Sequence, residues 1–159
     1  MLRPILLISG LLGLTPVLAA DRYLDDRSSP EQLILSLYNA INMHQYSRAY
    51  SYFSDPPAKD YQTYVKGFAD TAHVDVVSGS YTGDGAAGSV FYNVPVAIRA
   101  QNQKGAYSYF AGCYVVRQIN ADQDPPYTPL LIRSAKLQTI EPGDYRRYSA
   151  GNFHSAKLC

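Results

Sequence analysis

The sequence predicts an α+β fold in which N-terminal helices pack against a curved, mostly antiparallel sheet of four strands. In its first half, apolar residues recur at three- and four-residue steps, which is the period of a helix. From His73 onward the period changes to two, and runs rich in Val, Ile, Tyr and Phe lie between turns. Helices followed by strands, without alternation of the two, favour α+β over a parallel α/β sheet.

The first helix is predicted to begin at Pro30. Ser29 can cap it, Gln32 completes a capping-box pattern, and proline suits the first helical position because its missing N–H is not needed there. One apolar stripe then follows, formed by Leu33, Ile34, Leu37, Tyr38 and Ile41. This pattern indicates a helix with one face in the core.

Two shorter helical segments are predicted after it. Residues 46–53 continue the apolar period until Pro56 and Pro57 interrupt it. Residues 61–69 are predicted to form a third helix with its aromatic side chains on one side. Both segments are therefore expected to add apolar surface to the same core.

Four strands are predicted at residues 73–81, 88–100, 105–119 and 128–140. Pro95 lies inside the second and cannot donate to a ladder, so this strand should lie at an edge or carry a bulge, which would bend the sheet. The segment "GDGAAG", residues 83–88, matches a dinucleotide-binding fingerprint, but a strand follows it where that motif requires a helix. It is therefore predicted to be a hairpin turn.

Residues 1–20 have the layout of a cleaved secretory signal, with Arg3 before an apolar stretch and small residues at Ala19 and Ala20. An uncleaved anchor is the alternative. No cysteine follows for a lipid anchor, so the mature chain is expected to be secreted or periplasmic, with no membrane span after cleavage. Its remaining 139 residues or so suit one domain, over 30–141, between a linker at 21–29 and a tail at 142–159.

Charge argues against nucleic-acid binding. The chain has 14 Lys and Arg against 13 Asp and Glu, and loss of Arg3 with the signal brings the formal net charge to zero. The basic residues are scattered, and the longest basic run is Arg146–Arg147. The sequence therefore lacks the basic patch that phosphate backbones require.

The two cysteines, Cys113 and Cys159, allow one intramolecular pairing. In an oxidising compartment a disulfide between them is expected, and it would strap the tail across the sheet. The alternatives are an inert buried thiol at Cys113 with a frayed tail, or pairing of Cys159 with another chain. A catalytic Cys113 is disfavoured, since no His or cationic side chain is near it in sequence.

This order of elements resembles the nuclear transport factor 2-like (NTF2-like, SnoaL-like) superfamily over residues 30–140. The likeness lies in the helix "EQLILSLYNAINMHQYSRAYSYF", in "YVKGFADT" before the first strand, and in three long strands, the second of which contains "GCYVVRQI". It implies a cone-like fold, with the helices in the concave face of the sheet. It also implies a sheet face that relatives use for dimerisation, and hence a homodimer as a further expectation. The chain is most similar to secreted members without known chemistry.

Tyrosine is the unusual feature of the composition, with 15 Tyr and no Trp. Tyrosine combines a large apolar ring with a hydroxyl, which suits pocket mouths and interfaces. The candidate pocket-lining residues are Tyr38, Tyr50, Tyr64, Phe68, Phe110 and Tyr114. Ordinary core and rim packing is the alternative. The leading hypothesis is a non-catalytic domain that binds a small apolar ligand or an envelope protein partner.

The rival hypothesis is a cyclase- or isomerase-like enzyme, since superfamily enzymes place an Asp or His base inside the cone. Residues 89–119 contain no Asp, Glu or His, which leaves Asp70, His73 and Asp75 as base candidates. A purely structural envelope role is a third hypothesis. The histidines lie far apart in sequence, so neither a metal nor a cofactor is predicted, and no catalytic residue is assigned.

Overall fold

The computed structural model describes residues 22–120, 127–153 and 157–159. The predicted signal at 1–20 lies outside these ranges, so its cleavage stays a prediction. The described part contains nine elements in the order α1 Pro30–Asn42, α2 Tyr46–Tyr50, α3 Tyr61–Lys66, β1 Thr71–Ser78, β2 Thr82–Ala86, β3 Ser89–Asn102, β4 Tyr107–Ile119, β5 Leu131–Thr139 and α4 Pro142–Ser149. The predicted α+β class is confirmed.

The sheet has five strands, so the prediction of four was wrong. All pairings between the strands are antiparallel, in the order β1-β3-β4-β5, and β2 pairs with β3 beyond the end of β1. Most of the "GDGAAG" segment forms β2, and the turn itself lies at Ala87 and Gly88, where φ is 45° and 73°. Gly83 lies in the extended strand, and the Tyr92 ring stands 2.9 Å from where its Cβ would be, so this position leaves little room for a side chain.

Helix α1 begins at Pro30 as predicted. The Ser29 side chain accepts a hydrogen bond from the Gln32 N–H at 3.2 Å, which satisfies one of the free donors of the first turn. The fully buried Ser36 accepts a hydrogen bond from the Asp26 N–H at 2.8 Å and holds the preceding segment against the helix. The apolar stripe of α1 faces β1 and β3.

Helices α2 and α3 are shorter than predicted. After Tyr50 the chain leaves the helix, because the Tyr52 carbonyl accepts from the Ile132 N–H at 2.8 Å and the Ser54 N–H donates to the Ile132 carbonyl at 2.9 Å. This parallel bridge fastens the end of α2 to the start of β5. Helix α3 ends at its Gly67 cap, shortly before β1.

The strand that contains Pro95 was expected to lie at an edge of the sheet or to carry a bulge, and both expectations were wrong. β3 lies inside the sheet, and its register with β4 runs through the pair Pro95–Cys113 without a bulge. The Pro95 carbonyl instead accepts from the Gly79 N–H at 2.9 Å, in the gap between β1 and β2. In a β-strand, the N–H and C=O groups of one residue point to the same side of the strand. The N–H that Pro95 lacks would therefore face the gap between β1 and β2, where neither strand pairs with β3.

The two faces of the sheet are covered differently. Helices α1 to α3 pack on the face that carries Val94, Val96, Ile98, Tyr114 and Val116, which belong to the main core. A smaller core lies on the opposite face, where Tyr145 and Tyr148 of α4 cover Ala97 and Ala111. Helix α4 was not predicted, since the tail is polar apart from its aromatic residues. It covers part of a face that a homodimer could have used, and the homodimer stays a prediction.

The tail is held by the disulfide expected from the sequence. Cys113 and Cys159 are joined, with their Cα atoms 5.1 Å apart. Cys113 lies on the α4 side of β4, and Leu158 packs at the smaller core. The cross-link therefore fixes residues 157–159 to the centre of the sheet.

Among residues 22–120, 127–153 and 157–159, no helix is long and apolar enough to cross a membrane.

The disulfide should contribute strongly to stability, because it closes a segment with a sequence separation of 46 residues. We expect the double variant Cys113→Ala/Cys159→Ala to lose about 4 kcal/mol of unfolding free energy in urea denaturation, chiefly through a less restricted unfolded chain. Wild-type protein reduced under the same conditions should lose a similar amount. An unchanged unfolding free energy in both samples would contradict this account.

Candidate functional site

Two adjoining cavities lie between the helices and the sheet. Their volumes are about 510 Å³ and 350 Å³. They share four lining residues, Tyr38, Gly67, Phe68 and Leu137. We call the two cavities together the groove, and the larger and smaller parts the first and second cavity.

The first cavity combines an apolar wall with a polar rim. Val74, Ile98 and Phe110 contribute apolar surface from three neighbouring strands. Asp70 and Asn102 add polar groups near the start of β1 and the end of β3. The cavity can therefore hold an apolar body, with polar contacts available at one side.

The second cavity is lined mainly by apolar and aromatic side chains. Ile41 of α1, Phe53 after α2, Tyr64 of α3 and Tyr114 of β4 contribute to it. Asp and Glu, Lys and Arg, and His are all missing from the described residues that line it. This part of the groove is therefore uncharged.

Strand β5 forms part of the wall because it lies close over Gly112 of β4. A Cβ at Gly112 would point to the helix-covered face and would stand 1.9 Å from the Lys136 carbonyl oxygen. This contact is possible only for glycine, and it brings the β5 backbone toward the helices. Ala135 and Leu137 of β5 consequently line the second cavity.

A buried pair of tyrosines connects α1 to β4 at the groove. The hydroxyl oxygens of Tyr38 and Tyr114 are 2.7 Å apart, a hydrogen-bond distance, and the two rings meet edge to face at 6.4 Å. The side chains are 6% and 4% exposed. Since each phenol carries one hydrogen, the pair uses one in its own bond and has one left to donate.

Tyr64 has a different status. It is 8% exposed, and its hydroxyl is buried without a hydrogen-bond partner among the described residues. Its ring packs edge-on against Tyr50, Phe53 and Phe68, with centroids 5.3, 6.2 and 5.1 Å away. A buried hydroxyl that makes no hydrogen bond loses its hydration without compensation, so this group costs stability.

Burial also keeps these three phenols neutral. It raises the pKa of Tyr114 to about 12. Burial raises the pKa of Tyr38 well above its ordinary value, as does repulsion from an ionised Tyr114, and the same causes raise the pKa of Tyr64. These three groove residues therefore carry no phenolate at physiological pH.

Five of the six predicted pocket residues line the groove, namely Tyr38, Tyr64, Phe68, Phe110 and Tyr114. Tyr50 does not; its ring packs against the rings of Tyr61 and Tyr64 instead. Sequence reasoning missed Leu137, which lines both cavities and is 38% exposed. An isolated leucine between Lys136 and Gln138 could have indicated it, because such a residue on a polar strand needs an apolar neighbour.

The three base candidates do not meet in one site. The Asp75 carboxylate lies on the α4 side of the sheet, where Arg99 Nε donates to it at 2.9 Å and His73 Nε2 stands 3.5 Å away. Asp70 does line the first cavity, but it is exposed. Within the described ranges, the groove thus holds no buried carboxylate or imidazole, and no three His, Cys, Asp or Glu residues form a metal site.

The chain matches no protein-family model, no curated protein and no solved structure.

Loss of the hydroxyl should change the unfolding free energy in opposite directions at Tyr64 and Tyr38. We expect Tyr64→Phe to raise the unfolding free energy by about 1 kcal/mol, because it removes a buried group without a partner. We expect Tyr38→Phe to lower it by about 1 to 3 kcal/mol, because the Tyr114 hydroxyl loses its partner. Urea denaturation at neutral pH measures both, and destabilisation by Tyr64→Phe would contradict the assignment.

Stability should fall in alkaline solution. Burial raises the pKa of Tyr114 from about 10 in the unfolded chain to about 12, so the folded state holds its proton where the unfolded state loses it. This contribution is fully present below about pH 10 and is lost as the pH rises toward about 12, at roughly 1.4 kcal/mol per unit. Urea denaturation in steps above about pH 9, with tyrosinate absorbance recorded alongside, measures the loss.

The double variant Tyr38→Phe/Tyr114→Phe is the matched control, because it removes both paired hydroxyls together. Its alkaline loss of stability should be smaller than that of the wild type. Equal slopes for the two proteins would show that other groups cause the alkaline loss.

Proposed function

We propose that the protein binds a small apolar ligand in the groove and catalyses no reaction on it. The observation that carries this proposal is the pair of adjoining cavities, about 510 Å³ and 350 Å³, with apolar walls and buried tyrosine hydroxyls. Pockets of this size and character are typical of small-molecule sites. A structural role alone would not require such a space, since protein interiors are otherwise close-packed.

An exported location is part of the proposal. The disulfide between Cys113 and Cys159 supports an oxidising compartment, because such bonds rarely persist in the cytosol. The predicted signal at residues 1–20 points the same way. We therefore place the protein in a secreted or periplasmic setting, where an envelope protein partner is the alternative occupant of the groove.

Membership of the nuclear transport factor 2-like superfamily is likewise proposed. Its support is the order of elements, helices before strands, and the packing of α1 to α3 on one sheet face. A cone built this way would enclose the groove. The fifth strand, β2, extends the sheet beyond the four strands expected.

The enzymatic alternative has less support. A general base needs a position that raises its pKa toward working pH and brings it within reach of the substrate. Asp75 is instead bound by Arg99 on the other side of the sheet, and Asp70 is exposed at the rim of the groove. These placements favour binding over catalysis.

A cavity-filling variant tests the proposal. Ala100 lines the first cavity, so Ala100→Phe should occupy part of the space. We expect the neutral fluorescent probe N-phenyl-1-naphthylamine to bind the wild type at micromolar concentration and to bind Ala100→Phe at least roughly tenfold more weakly. The reason is that the added ring excludes the probe.

The control is Ala86→Phe, which adds the same ring to an exposed position of β2. This variant should bind the probe as the wild type does. Absence of probe binding by the wild type, or equal binding by Ala100→Phe, would count against a ligand site in the groove.

A further inference from the structure

Strand β5 forms one edge of the sheet, and part of its backbone has no partner. It follows β4 in the strand order, and no other strand of the described chain pairs with its outer side. Residues 133–139 are all exposed. The start of this edge is occupied, because Ile132 forms hydrogen bonds with the segment Tyr52–Ser54. The open part of the edge therefore begins after Ile132.

The register with β4 identifies the backbone groups that point outward. The Ile140 N–H donates to the Tyr109 carbonyl at 3.0 Å, so the backbone groups of Ile140 point toward β4. Because these directions alternate along a strand, the N–H and C=O groups of Ala135, Leu137 and Thr139 point away from β4. No other described residue forms a hydrogen bond with the backbone of these three residues. The edge thus presents unpaired donors and acceptors at every second position.

A second copy of the chain can supply the missing partner strand. An exposed edge is a template for pairing with another chain, and a two-fold axis pairs two identical edges in antiparallel orientation. With Leu137 on the axis, it faces the partner's Leu137, and Ala135 faces the partner's Thr139. All three outward residues of each copy are then paired. Lys136 faces the neutral Gln138 of the partner.

Neighbouring registers are less favourable. A two-fold axis at Lys136 would place two lysines opposite each other, and directly opposed like charges are destabilising in a sheet. An axis at Ala135 would bring the partner strand to Ile132, where the segment Tyr52–Ser54 is already paired. An axis at Gln138 would leave the outward groups of Ala135 without a partner. The register centred on Leu137 is therefore preferred.

Charges at the two ends of the pairing agree with this register. Arg133 comes to lie opposite the partner's Glu141, and the reverse holds at the other end. Both residues are exposed, and Glu141 has extended backbone angles. Arg133 contacts Asp55 at 2.9 Å through Nη1 and has further N–H groups to donate. Two contacts between opposite charges would therefore flank the paired strands.

We infer that two copies of the chain pair through their β5 edges, antiparallel, with Leu137 of each copy opposite Leu137 of the other. This dimer uses the edge of the sheet, whereas the superfamily resemblance implies a sheet face. Leu137 lines both cavities and is 38% exposed. The partner's Leu137 then adds to the wall of the groove at this edge. The inference goes beyond the proposed function, since the pairing needs no ligand in the groove.

Opposite charges at position 137 test both the interface and its register. We expect the wild type to dimerise with a Kd of roughly 10 μM in sedimentation equilibrium, since two short strands bury a small area. Leu137→Lys and Leu137→Glu should each raise this Kd at least roughly tenfold, because each places two like charges on the axis. An equimolar mixture of the two variants should form heterodimers, because opposite charges then face each other.

Ala86→Lys is the matched control, because it adds the same charge to an exposed position of β2. This variant should keep the wild-type Kd. Formation of heterodimers in the mixture would also show that both Leu137 variants are folded.

Three results would overturn the inference. A wild type that stays monomeric at roughly 200 μM would leave the edge to a different protein partner. Dimers that persist in Leu137→Lys would show that another surface is used. Loss of the dimer in both variants without recovery in their mixture would contradict the register centred on Leu137. None of these results depends on the probe-binding experiment that tests the groove.

Discussion

Side chains alternate between the two faces of β4, and this geometric constraint connects the stabilising and the functional parts of the molecule. Cys113 points to the face covered by α4 and the tail, where it forms the disulfide. Tyr114, the next residue, points to the other face and pairs with Tyr38 of α1. One central strand thus holds the C-terminal segment with one side chain and positions the groove with the next.

At the groove, packing is incomplete and a buried polar group makes no hydrogen bond. Most of the main core is closely filled, with Leu33, Val94 and Ile132 fully buried. At the groove, by contrast, β5 is drawn toward the helices over Gly112, and the Tyr64 hydroxyl is buried without a partner. A residue that lowers the stability of the folded protein beside an open cavity is typical of ligand-binding sites.

Local patterns in the sequence predicted the elements whose causes are local. The start of α1 at Pro30 and the four long strands follow from capping and periodicity. The strand β2 was missed because its glycines resemble a turn, and α4 was missed because two buried tyrosines, Tyr145 and Tyr148, carry its entire apolar face. The isolated Leu137 indicates a need for an apolar neighbour, but the sequence does not say which one, since its position depends on how β5 lies over β4.

The position of Pro95 has a consequence for strand pairing at the gap between β1 and β2. Along one side of β3 the partners change from β1 to β2, which leaves a short opening in the ladder. An interrupted ladder normally invites an extended segment of another molecule. Here the proline offers no donor, and its carbonyl is already taken by Gly79. At this gap, Pro95 therefore offers neither a free donor nor a free carbonyl to an added strand.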